Sequence, residues 1–148
     1  MSAENRKHFV LDSFALLVFF EQQKDWKKVE GFLVEAAKDE IELLMSGINY
    51  GELFYITAQR EGVEEANKII KTVDSLPIKI VYPDRELTLE SAEIKSRGGI
   101  SYADCFAASL AKKYKAKLIT GDPEFKKLSR ELSLEWIENR EIAFKKSL

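Results

Sequence analysis

The sequence predicts an α/β fold of three layers, in which a parallel sheet of four to five strands lies between helices. Two observations support this prediction. Short apolar segments alternate along the chain with longer segments whose apolar residues recur every three or four positions. The apolar segments are nearly continuous, as expected for strands that are buried on both faces of a parallel sheet. The length of 148 residues suits one core, so we expect a single domain over residues 1–148.

Strands are predicted where short apolar runs are bounded by acids or turn residues. The first run ends at an acid, the third lies between two prolines, and the last alternates like an edge strand. In chain order, the predicted strands span 8–12, 41–46, 78–82, 117–120 and 134–138.

Helices are predicted where apolar residues recur at helical spacing, most clearly at 25–39. Gly62 and the pair Gly98–Gly99 mark two helix ends, because glycine readily adopts the left-handed conformation that follows many helices. In chain order, the predicted helices span 13–23, 25–39, 48–62, 63–76, 85–99 and 101–116, followed by a short helical or turn segment at 123–132 and a short helix at 140–148.

The composition excludes several classes of function. The net charge is −2, so the composition as a whole does not indicate a nucleic-acid-binding protein, and any basic surface must be local. A single histidine, His8, argues against most zinc sites and histidine-dependent triads. Cys105 is the only cysteine and cannot form an internal disulfide, which agrees with a reducing compartment. No apolar run has the length of a membrane span and no signal peptide is evident, so we expect a cytoplasmic location without membrane association.

Four acids follow or face the predicted strand ends. Asp12 comes directly after the first strand, and Asp122 follows the fourth. Glu52 lies in the helix after the second strand, and Asp104 lies in the first turn of the helix that leads into the fourth. Because parallel strands bring their carboxyl ends to one edge, where ligands of such folds bind, the four acids are expected to face one cleft.

Each acid also has a purely structural interpretation. Asp12 is able to cap the helix that follows it, and Asp122, which precedes a proline, is able to do the same. Ser101 and Asp104 fit a capping box, in which the serine is the N-cap and the acid reaches back from the first turn. Glu52 has mostly apolar neighbours, and surface exposure is its alternative. A carboxylate that caps a helix is well fixed in space, so capping does not exclude a role as a ligand.

Convergent carboxylates predict a hard divalent cation. Four acids in one cleft repel one another, and a bound ion removes that repulsion. Oxygen ligands without histidine or thiolate suit Mg²⁺ or Mn²⁺. Such ions bind phosphates and activate water, so phosphodiester hydrolysis is the chemistry that this set of residues predicts.

Three segments resemble the PIN-domain nucleases: "VLDSFALL" (10–17), "NYGELFY" (49–55) and "ISYADCFAASLAKKYKAKLITGDPEFKKL" (100–128). The small size is similar to the VapC-type toxins of toxin–antitoxin pairs. The resemblance implies a PIN-like fold and a Mg²⁺- or Mn²⁺-dependent endoribonuclease. It also implies a homodimer and inhibition by a small cognate antitoxin. The catalytic, metal-binding acids would be the following: Asp12, Glu52, Asp104 and Asp122.

The resemblance also implies supporting residues around the acids. Ser13 and Thr120 would be nearby hydroxyls, and Asn49 lies one turn before Glu52. Glu124 occupies a place where the family often has a further acid, although its side chain is longer.

The most basic region lies at 112–130, and Lys112, Lys126 and Lys127 are its candidates for RNA contacts. Its alternative interpretation is a solvated helix face with its loop. The alternative function is a PIN-like module that binds RNA or protein without cutting. Receiver-type and dehalogenase-type folds are disfavoured, because Ser13 and Phe14 stand where a second acid would follow Asp12.

Overall fold

A computed structural model of the protein describes residues 5–138. Strands and helices alternate along this part of the chain. The strands are β1 (Lys7–Leu11), β2 (Ile41–Ser46), β3 (Lys79–Val81), β4 (Lys117–Thr120) and β5 (Ser133–Trp136). The α-helices are α1 (Ser13–Phe20), α2 (Trp26–Ala37), α3 (Gly47–Glu61), α4 (Val63–Ser75), α5 (Arg85–Ser96) and α6 (Tyr102–Tyr114), and a 3-10 helix spans Pro123–Leu128.

The five strands form one sheet in the order β3–β2–β1–β4–β5, and every neighbouring pair is parallel. β1 lies at the centre, where Val10 pairs with Leu44 of β2 and with Leu118 of β4. β5 pairs with β4 at one edge of the sheet, as its alternating sequence predicts. The prediction of a parallel sheet with flanking helices is therefore confirmed.

Successive residues of the central strands face two separate cores, one on each side of the sheet. Leu11 and Ile119 pack in the core formed with α1, α2 and α3. Val10 and Leu118 pack in the core formed with α5 and α6. All four side chains are fully buried. This arrangement explains the continuous apolar runs, because each strand needs apolar residues on both faces.

The ends of several elements follow the sequence closely. Gly62 ends α3 with φ 96°, and Gly98 and Gly99 follow α5 with φ 81° and 83°. α1 ends at Phe20, earlier than predicted, because the chain turns through Gln22, whose φ is 50°. The segment predicted at 123–132 forms its short 3-10 helix first and then turns.

The short helix predicted at 140–148 lies outside the described residues. Within residues 5–138, no helix combines the length and the apolar character that crossing a membrane requires.

Candidate functional site

The carboxyl ends of β1, β2 and β4 lie side by side, and acidic side chains gather there. β1 ends immediately before Asp12, and β4 ends at Thr120, two residues before Asp122. Ser46 ends β2, and its hydroxyl accepts the Ile48 N–H at 3.1 Å, so α3 begins at the same edge. The edge is called the acidic edge below, and its members are Asp12, Glu52, Asp104, Asp122 and Glu124.

Asp12 is fully buried and held through both carboxylate oxygens. Oδ1 accepts the Ala15 N–H at 2.9 Å and caps α1, which confirms the capping interpretation. Oδ2 accepts a short hydrogen bond from the hydroxyl of Thr120. The same hydroxyl accepts the N–H of Asp122 at 3.0 Å. Thr120 therefore joins the acid after β1 to the acid after β4.

Glu52 is 5% exposed, so its alternative interpretation as a surface residue is wrong. Oε1 accepts a short hydrogen bond from the hydroxyl of Ser13 and one from Asn49 Nδ2 at 3.4 Å. Asn49 is fully buried, and its Nδ2 also donates to the carbonyl of Ala103 at 3.2 Å. These contacts compensate for burial of the carboxylate and connect α3 to the start of α6.

Among residues 5–138, Asp104, Asp122 and Glu124 form a group of acids whose carboxylates are close enough to hold one metal ion. Each offers one carboxylate oxygen, and the three oxygens lie within 4.8 Å of one another. Asp104 and Asp122 are buried, and Glu124 is partly exposed. The sequence placed Glu124 among the supporting residues, whereas the structure groups it with two of the four candidate metal-binding acids.

Helix starts fix the positions of these three acids. Ser101 caps α6 by accepting the Asp104 N–H at 3.2 Å, as predicted. The N–H of Ser101 donates to Glu124 Oε2 at 3.1 Å, so the other half of the expected capping box is filled by an acid from the following loop. Asp122 caps the 3-10 helix by accepting the Glu124 N–H at 3.0 Å, with a proline at its start, which confirms that capping prediction.

The acidic edge fits a hard divalent cation. The group of Asp104, Asp122 and Glu124 offers only carboxylate oxygens, which Mg²⁺ and Mn²⁺ prefer. Like charges at these separations repel, and a cation between them would remove the repulsion. Burial is the largest of the effects that raise the pKa of the Cys105 thiol, so this residue does not supply a reactive thiolate.

The three candidate lysines all contact other parts of the chain. Lys112 lies 3.4 Å from Glu131, and Lys126 lies over the ring of Trp136 at 5.0 Å from its centroid. Lys127 donates to the carbonyl of Gly99 at 2.8 Å, in the loop that leads into α6. Lys127 therefore contacts the loop that leads to Ser101 and Asp104. Lys112 and Lys126 instead contact Glu131 and Trp136.

Two residues near the acids were missed by the sequence reasoning. The hydroxyl of Tyr55 lies 3.4 Å from Glu52 Oε2, and its position one helical turn after Glu52 is a signal that could have found it. Lys95 Nζ donates to the carbonyl of Ile100 at 2.9 Å and, with Lys127, holds the loop before α6. No local pattern in the sequence indicates the contact of Lys95.

The family model described as PIN domain matches residues 9–131. Among solved structures, VapBC2 from Rickettsia felis, bound to a DNA fragment from its promoter, is similar with a TM-score of 0.67 and 20% identity, over 88% of this chain and 99% of that chain. VapC20 from Mycobacterium tuberculosis, a sarcin–ricin loop cleaving toxin, has a TM-score of 0.65 and 14% identity, over 81% and 94%. VapBC-5 from the same organism, of the VapBC family of toxin–antitoxin systems, has a TM-score of 0.57 and 17% identity, over 89% and 98%. No curated protein matches the chain. At these identities, the structural likeness establishes a shared fold.

Proposed function

The chain belongs to the PIN-domain family, and from that premise we propose that it is a Mg²⁺- or Mn²⁺-dependent endoribonuclease that hydrolyses RNA phosphodiester bonds. The observation that carries the proposal is the grouping of Asp104, Asp122 and Glu124 within 4.8 Å, beside the buried carboxylates of Asp12 and Glu52. Helix capping does not account for five acids at this edge. Of these acids, only Asp12 and Asp122 are N-caps, whereas α3 and α6 are capped by Ser46 and Ser101.

A divalent cation would lower the pKa of a water molecule and stabilise negative charge on the phosphoryl oxygens. Asp104, Asp122 and Glu124 would hold it, with Asp12 and Glu52 as the other two acids of the site. Thr120 keeps Asp12 in place, and Ser13 does the same for Glu52. Because those carboxylates are fixed before substrate arrives, they need no reorganisation when charge develops on the phosphate.

The biological role that we propose is that of the toxin in a type II toxin–antitoxin pair, acting in the cytoplasm. The similarity to VapBC structures over nearly their whole chains supports this role. The partners would be an RNA substrate, a small cognate antitoxin and a second copy of the chain, with residues 1–148 acting as one domain. Lys127 is the best placed of the three candidate lysines to contact RNA, because it lies beside the loop before α6.

The test is cleavage of a labelled structured RNA by purified protein freed of antitoxin, with Mg²⁺, Mn²⁺ or EDTA. Asp104→Asn should abolish cutting, because it removes one charged ligand while leaving the side chain almost unchanged in size. Asp39→Asn is the matched control, since Asp39 is highly exposed and its carboxylate lies 3.8 Å from Arg6, among exposed residues just before β2. Metal-dependent cutting lost only in Asp104→Asn would support the proposal. Equal cutting by both variants, or cutting that persists in EDTA, would refute it.

A further inference from the structure

Two aromatic rings remain exposed beside the acidic edge. Tyr55 of α3 is 49% exposed, and Tyr102 at the start of α6 is 43% exposed. The hydroxyl of Tyr55 is 3.4 Å from Glu52, and Tyr102 precedes Ala103, whose carbonyl is bound by Asn49. Tyr55 thus contacts the carboxylate of Glu52 directly, and Tyr102 is connected to the same carboxylate through Ala103 and Asn49.

The surface beside Tyr55 is open. Ile48, Gly51, Glu52 and Tyr55 share one face of α3, because residues three and four apart are neighbours on a helix. Ile48 is 37% exposed, and no atom lies within 4 Å of the place where a side chain of Gly51 would begin. The glycine thus leaves open space between an aliphatic side chain and an aromatic one.

The ring of Tyr102 is supported from behind. Its centroid lies 4.8 Å from that of Phe106, with the planes tilted by 58°. Phe106 is itself buried in the protein, so it fixes Tyr102 from one side while the other side faces solvent. A ring that is held in this way loses little further freedom when a planar ligand stacks on it.

We propose that Tyr55 and Tyr102 stack on unpaired bases that flank the phosphate to be cleaved. This inference rests on the proposed nuclease function and adds the two residues that hold the nucleotides on either side of the cut. A carboxylate-rich edge repels phosphates except where a cation is bound, so neighbouring nucleotides have to be held through uncharged groups. Bases supply such groups, and they stack on aromatic side chains when they are not covered by base pairing.

Binding can be measured separately from cutting in protein that carries Asp104→Asn. The probes are a fluorescent oligoadenosine RNA and an oligomer of equal length that has the ribose–phosphate backbone without bases. Tyr55→Ala and Tyr102→Ala should each weaken oligoadenosine binding roughly tenfold. Tyr55→Phe and Tyr102→Phe should bind like the parent, because they retain the ring. Tyr82→Ala is the aromatic control, since Tyr82 is 68% exposed and follows β3, the outermost strand, which is two strands away from β1 and Asp12.

The backbone oligomer separates stacking from any general damage to the site. If stacking is the cause, the alanine variants and the parent bind this oligomer equally. Oligoadenosine binding that is unchanged in both alanine variants, or an equal loss on the oligomer without bases, would overturn the proposal and leave the two rings as a surface for a protein partner. Tyrosine-dependent binding in a protein that never cuts RNA would refute the nuclease function and leave the stacking inference standing.

Discussion

The hydroxyl of Thr120 offers a direct test of how the acidic edge is held together. It donates to the buried carboxylate of Asp12 and accepts the N–H of Asp122. Thr120→Val replaces the hydroxyl with a methyl group of similar shape and keeps the branched side chain that suits a strand. The substitution therefore removes two hydrogen bonds while disturbing the packing of β4 very little.

The cost follows from the two groups that lose a partner. A hydrogen bond to a charged group contributes about 1.5–3 kcal/mol, and a buried N–H left without an acceptor costs about 1–3 kcal/mol. Water that enters at this edge would recover part of that sum, so we expect Thr120→Val to lower the free energy of unfolding by about 3 kcal/mol. Thr120→Ser keeps the hydroxyl and loses one methyl group, which costs about 1 kcal/mol.

The assay is urea unfolding of the metal-free parent and both variants at neutral pH. We expect equal slopes and a midpoint that falls much further for Thr120→Val than for Thr120→Ser. Equal midpoints for the two variants would show that the Thr120 hydroxyl does not hold Asp12 and Asp122 together, and the reasoning would be wrong.

Three further predictions concern charge, pH and space. Asp122→Asn keeps a good N-cap but removes one of the like charges that lie within 4.8 Å of one another, and repulsion between two such charges in water is worth about 1 kcal/mol. The metal-free variant should therefore melt at a higher temperature than the parent, and Mn²⁺ should no longer stabilise it. A lower melting temperature without metal would contradict this expectation. Burial, and then a hydrogen bond to a neighbouring carboxylate, raises the pKa of Tyr50 from 10.0 to about 12, so its contribution to stability is complete below pH 10 and is lost as the pH rises through 12. Alkaline unfolding should therefore be less steep between these values for Tyr50→Phe than for the parent, and identical curves would refute the assignment. Gly121→Ala would place a carbon 2.0 Å from the carbonyl oxygen of Ile137 and should prevent stable folding. Gly31→Ala, in open space on α2, should instead raise the free energy of unfolding by about 0.5–1 kcal/mol. Equal melting temperatures of the two variants in calorimetry would contradict the contact at Gly121.

The sequence predicted the sheet well, because the physics that forms it is local. Each central strand is a short apolar run, and both of its faces must be covered by helices. The positions of Asp12 and Asp122 followed from the strand ends alone. Gly62 was also recognised correctly, because few residues other than glycine tolerate φ 96°.

The contacts between distant segments could not be predicted in the same way. Burial of Glu52 depends on a hydroxyl from Ser13, and no periodic pattern reports that pairing. The place of Glu124 depends on how the loop after β4 folds against Ser101. Lys112 looked like part of a basic surface because its partner, Glu131, is distant in the sequence. In each case the missing information was the partner and not the residue itself.

The division of the central strands between two cores makes the chain intolerant of length changes near the acids. One residue inserted in β4 would send Leu118 and Ile119 to each other's side of the sheet and would turn Thr120 away from Asp12. The exposed link at 38–40 joins α2 to β2 at the opposite edge and carries no such constraint. Peptide tags or labels for following this protein are therefore best inserted there, because the register of the strands and the positions of the five acids of the acidic edge are preserved.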